Sequence, residues 1–226
     1  MKTDLKRINI VVKPHGLAGI LYHPRQPRGL IIFAHGSGSS RFSPRNAFVA
    51  EKLGDRGFAC LLFDLLAPGE AEDRRNVFNI PLLGARVRDA SAWALSTSEV
   101  RDLHIGFFGA STGAAAALVA AADEPTRVAA IVSRSGRPDL AGESLARVLA
   151  PTLFIVGGFD CDVLELNRQA LRRLRCEAHL DVVPGATHLF EEPGTLEAVV
   201  ADAGNWFVKY IPARVERGGG REPKVG

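Results

Sequence analysis

Cysteine is scarce in this chain. The three present, Cys60, Cys161 and Cys176, cannot all pair, and their settings differ: Cys60 lies in an apolar run, while Cys161 and Cys176 flank a predicted helix. A disulfide framework and a cysteine metal cluster are therefore not expected, and reduced thiols are. Excess charge is also lacking. The formal net charge is +3, of which the segment from Pro212 onward supplies +2, so the body carries almost none and nucleic acid is not expected as a partner. No apolar run approaches the roughly 18 residues that cross a bilayer. The opening stretch, MKTDLKRINI, is charged and has no apolar core of a leader peptide. A cytoplasmic protein with no membrane partner is the expectation, and no internal repeat is visible.

What is present suits one globular domain. The chain has 226 residues, 46% of them hydrophobic and 23% charged, enough for a single α/β domain over residues 1–211 with a sizeable core. Residues 212–226 are rich in Gly, Arg, Glu and Pro and lack aromatics, which predicts a disordered tail.

Short apolar runs alternate with helical stretches. Leu5 to Lys13 and Leu17 to Tyr22 read as an antiparallel pair at a sheet edge, and Leu30 to Ala34, Phe58 to Phe63, Ile105 to Ala110, Val128 to Ser133, Thr152 to Val156 and Ala178 to Val183 read as strands. Helices are predicted over Pro44 to Arg56, Leu82 to Leu95, the alanine-rich stretch after Ser111, Asp162 to Arg173 and Leu196 to Val208, with a short one near Leu140 to Leu149. Glu70 to Asn79 reads as a polar loop. This alternation predicts a mostly parallel, doubly wound sheet with active groups on loops at the carboxyl ends of the strands. Only about 19 residues separate Ser133 from Thr152, which leaves room for one helix and no cap domain.

The stretch Gly109-Ala110-Ser111-Thr112-Gly113 sits between an apolar strand and a helix. A serine on so sharp a turn is lifted clear of the sheet, and the flanking glycines remove side chains that would strike neighbouring backbone. Two strands later, Gly157-Gly158-Phe159-Asp160 places an acid at a strand end, and Pro184-Gly185-Ala186-Thr187-His188 places a histidine before the last helix. The order Ser, acid, His is that of a nucleophilic triad in which His188 takes the proton of Ser111 and Asp160 orients His188. Asp162 is the rival acid, although it can instead cap the helix that follows. The expected oxyanion donors are the N–H groups of Thr112 and, from the His35 to Ser40 loop, Ser37. Arg41 and Arg134 both follow strands that end at this point, and either can bind an acidic substrate group. His35 reads as a residue that orients the loop rather than as a base.

Phosphate-binding readings fit less well. The stretch GFFGASTG has no Lys after its last Gly, and Arg41 stands where a dinucleotide motif beginning at Gly36 would need its third glycine.

Through FAHGSGSSRFSPRN, FGASTGAAAALVAAA, VSRSGRPDL, IVGGFDCDVLELN and VPGATHLFEEPG, residues 5 to 210 resemble the α/β-hydrolase superfamily. Within it they resemble the dienelactone hydrolase-like group of small serine hydrolases without a lid. The resemblance implies hydrolysis of a small ester, thioester or lactone with no cofactor and no metal. True dienelactone hydrolases use a cysteine nucleophile, whereas Ser111 stands here. Members of the group are sometimes joined to phosphoribosyltransferase domains, and no such domain is read in this sequence. A non-catalytic ligand-binding protein on the same scaffold is the second reading.

Overall fold

The computed structural model describes residues 4–212. The expected disordered tail falls on residues 213–226, outside the described residues, apart from Pro212. Eight strands form one sheet: β1 (Leu5–Val12), β2 (Leu17–Pro24), β3 (Gly29–Ala34), β4 (Phe58–Phe63), β5 (Ile105–Ala110), β6 (Val128–Arg134), β7 (Thr152–Gly157) and β8 (Ala178–Val183). Their order is β1-β2-β4-β3-β5-β6-β7-β8. Only the β1–β2 and β2–β4 pairings are antiparallel; every later one is parallel.

Burial follows the sequence pattern. β3, β4, β5 and β7 are buried at every position, as continuous apolar runs require of strands covered on both faces. β1 and β8, the two edges, are largely exposed and carry the alternating polar residues. One face packs against α1 (Pro44–Asp55) and α7 (Thr195–Tyr210), through residues such as Val49, Leu53, Val199 and Phe207. The other face packs against α4 (Ile80–Ser96), α5 (Thr112–Asp123) and α6 (Cys161–Leu171), through Leu83, Val87, Leu118 and Ala170. Alanines 114 to 117 are wholly buried, so α5 lies close on the sheet.

Two expectations need correction. Glu70 to Asn79 is not a plain loop: it holds most of two four-residue helices, α2 (Pro68–Ala71) and α3 (Arg74–Val77). Glu70 explains why they form. Its carboxylate accepts from the Ala67 N–H at 2.9 Å and from Arg86 at 2.7 Å, and Arg86 is buried on α4. The segment expected to be a short helix near Leu140 to Leu149 is instead 3-10 turns over Pro138–Arg147, broken at Gly142. Among the described residues no cap domain interrupts the strands, and no helix is long and apolar enough to cross a membrane.

Candidate active site

β5 ends at Ala110 and α5 begins at Thr112, so the reversal falls on Ser111, with φ 50° and ψ −123°. Positive φ is strained for a residue with a β-carbon and persists only where the surroundings enforce it. Here the Ser111 N–H donates to the Arg134 carbonyl at 3.2 Å, while its own carbonyl accepts from the N–H groups of Ala114 (3.1 Å) and Arg137 (3.0 Å). A β-carbon added at Gly113 would overlap the carbonyl oxygens of Ala34 and His35, and one at Gly109 would overlap the backbone of Ala114. Both glycines are therefore required by contact.

The loops after β7 and β8 are laced together. Gly158 N–H donates to the Val183 carbonyl at 2.9 Å and Phe159 N–H to the Ala186 carbonyl at 3.0 Å. This brings Asp160 and His188 together, with Nδ1 of His188 2.6 Å from Oδ2 of Asp160. Because the carboxylate accepts, Nδ1 carries the proton and Nε2 is left as the basic nitrogen. Asp162 is exposed in the first turn of α6, and it is Asp160 that pairs with His188. Among the described residues Ser111 Oγ makes no hydrogen bond to His188. Catalytic hydrogen bonds are often long until substrate is bound.

Of the two expected oxyanion donors, the Ser37 N–H donates to the side-chain Oγ1 of Thr112 at 2.9 Å, which pins the 35–40 loop to the elbow. The Thr112 N–H is the first of α5, where no carbonyl of the helix can accept it. His35 braces the same loop. Its Nδ1 donates to the Gly36 carbonyl at 2.9 Å and its Nε2 accepts from the Leu65 N–H at 3.1 Å. Burial pulls its pKa down and keeps the ring neutral in this role.

The two arginines part company. Arg41 is committed to Asp64, through its backbone N–H at 2.8 Å and through an ion pair of its guanidinium, and it also stacks on Phe42. Arg134 is 7% exposed, and its Nε and Nη1 have no hydrogen-bond partner. Burial, with Arg45 nearby, lowers its pKa to about 10, which leaves it protonated at neutral pH.

Beside the elbow lies a cavity of about 250 Å³, lined by the 35–40 loop and by Leu65, Leu66, Ala71, Val77 and Leu83. Gly36, one of its lining residues, abuts Ser111: a β-carbon there would stand 3.0 Å from Ser111 Cβ. This apolar wall was not legible in the sequence, which reads there as a loop of charged residues. Asp73 and Asn79, which cap α3 and α4 through their side chains, are the signals that could have revealed it.

The family model described as alpha/beta hydrolase fold matches residues 29–177. The chain belongs to the α/β-hydrolase family. Within that family it is similar to a dienelactone hydrolase from Anabaena variabilis, with 46% identity and a TM-score of 0.88, covering 93% of this chain and 100% of that one. Est1E from Butyrivibrio proteoclasticus is 17% identical over 90% of this chain and 98% of its own, with a TM-score of 0.75, a likeness of fold alone. A Mycobacterium tuberculosis protein that carries the provisional name phosphoribosyl transferase, Rv0571c, is 55% identical over 206 residues, which are 91% of this chain and 46% of the relative. The chain thus spans about half the length of the curated relatives it matches.

Proposed function

We propose that this α/β-hydrolase cleaves small carboxylic esters through an acyl-enzyme on Ser111. The observation that carries the reading is the 2.6 Å pair of His188 and Asp160 on the loops beside the strained Ser111. Ser111 Oγ attacks the substrate carbonyl carbon while His188 Nε2 takes its proton, and Asp160 stabilises the imidazolium that forms. Negative charge on the carbonyl oxygen is held by the N–H groups of Thr112 and Ser37, reinforced by the positive end of α5. The alcohol leaves with the proton from His188. Water, deprotonated by the same nitrogen, then releases the acid and restores Ser111. A thioester or lactone would be opened by the same steps.

The cavity of about 250 Å³ is large enough for a short acyl chain and small for a lipid, so short esters are the favoured class. Similarity to a dienelactone hydrolase supports hydrolysis, and the phosphoribosyl transferase name of the longer relative describes a protein of which this chain matches less than half. In a panel of p-nitrophenyl esters from acetate to decanoate, turnover should be greatest for the short chains. Ser111→Ala should lower kcat by on the order of 10⁴ to 10⁶ with the melting temperature preserved. Near-normal turnover in that variant would remove the assignment, whereas a folded wild type that hydrolyses none of the esters would favour the non-catalytic binding-protein reading.

A further inference from the structure

Arg134 ends β6, one strand away from the elbow, and is paired in register with Ala110 and Ile155. Register partners share a face, so its side chain lies with Ile155 on the side of the sheet covered by α1 and α7. Two of its three guanidinium nitrogens are fully buried without a protein hydrogen-bond partner. A buried charged donor left so is costly and calls for an explanation. The nearby charge that acts on it is a second cation, Arg45 in the first turn of α1. Nε of Arg45 is likewise buried and unpartnered, and its Nη1 reaches Glu191 at 3.3 Å, a carboxylate that is itself 64% exposed. The N-terminal end of α1 adds positive potential of its own. Two guanidinium groups and a helix N-terminus thus gather where the protein supplies one solvent-exposed acid. Arg41, whose guanidinium pairs with Asp64, shows by contrast what a satisfied arginine looks like.

We infer that Arg134 and Arg45 receive an oxyanion group, a carboxylate or a phosphate, carried by the substrate. This rests on the ester-hydrolase reading, and it narrows the substrate class to esters that bear an acid group near the scissile bond. The apolar cavity takes the uncharged part of such a molecule, and the arginines take the acid.

The test compares matched esters that differ by one charge. Mono-p-nitrophenyl succinate against p-nitrophenyl butyrate places the acid on the acyl side; 4-acetoxybenzoate against its methyl ester places it on the alcohol side. Wild type should favour the anionic member of at least one pair in kcat/KM, and Arg134→Met and Arg45→Met should each cut that preference by roughly tenfold or more. Absence of preference in both pairs, or a preference that survives Arg134→Met, overturns the inference. Calorimetry with succinate and with inorganic phosphate separates the two acids, and it reads the arginines independently of turnover. Saturable binding lost in Arg134→Met supports the receptor even if no ester is hydrolysed, whereas no binding of either anion means that water alone satisfies the arginines and ends the proposal. Removal of an unpartnered buried charge should leave the melting temperature of Arg134→Met unchanged or raised in anion-free buffer. A lowered one, with binding intact, would assign Arg134 to structure instead.

Discussion

The two sides of the cleft are held by different means. At the elbow, backbone touches backbone: Gly109 and Gly113 have no room for a single carbon, and Ser111 is fixed at positive φ by three hydrogen bonds. Opposite, part of the cavity wall is two four-residue helices, α2 and α3, with no buried residue of their own, pinned through the carboxylate of Glu70 to Ala67 and Arg86. The difference teaches where precision is built in. A nucleophile tolerates little displacement, since misplacement by about 1 Å can cost on the order of 10²-fold in rate. A wall that shapes the substrate end can be assembled from side-chain contacts and altered without disturbing the elbow.

Substitutions on each side sharpen this contrast. Gly113→Ala forces a β-carbon into the carbonyls of Ala34 and His35, where no flexible side chain can yield. It should destabilise the protein by about 3 kcal/mol, lowering the melting temperature by roughly 6–12 °C. An unchanged thermal transition would show that the elbow is not crowded as described. Val77→Trp, on the opposite wall, should fill much of the cavity and leave the melting temperature within a few degrees of wild type. Its expected effect is a fall of about tenfold in kcat/KM for butyryl relative to acetyl esters. If both esters slow equally, the cavity does not hold the acyl chain.

The smallest effect belongs to Glu70→Gln. The Ala67 N–H, ahead of Arg86, holds the Glu70 carboxyl below its ordinary range. A carboxylate whose pKa is depressed by folding stabilises the native state above its unfolded pKa of about 4.3 and loses that contribution as pH falls through the lower folded value. Glu70→Gln should therefore melt roughly 1–3 °C below wild type at pH 7, with the gap closing below pH 4. Melting curves across pH 3 to 7 check this, and a gap that widens in acid would contradict it.

The same contrast explains what could be read from the sequence. The sheet was legible because β3, β4, β5 and β7 are buried on both faces and so appear as unbroken apolar runs. The elbow was legible because backbone crowding leaves glycine as the only residue that fits, and Gly109 and Gly113 bracket Ser111 for that reason. Asp160 and His188 could be proposed, and Asp160 preferred to Asp162, from their places at strand ends, but the lacing of two distant loops that joins them was not visible. Segment 68–79 was not legible: its helices are too short for periodicity, and its anchor joins Glu70 to Arg86, sixteen residues on. Arg41 and Arg134 looked equivalent in sequence, since the partner that separates them, Asp64, lies at the end of a different strand.

The central claim is that Ser111 is a nucleophile activated by His188. Its most direct test is labelling of the purified protein with a fluorophosphonate, which phosphonylates an activated serine, read by peptide mass spectrometry. The account predicts a single adduct on Ser111 in the wild type and none in Ser111→Ala or His188→Ala. A folded wild type that stays unlabelled, or an adduct on Ser111 that forms as fast in His188→Ala, would contradict it.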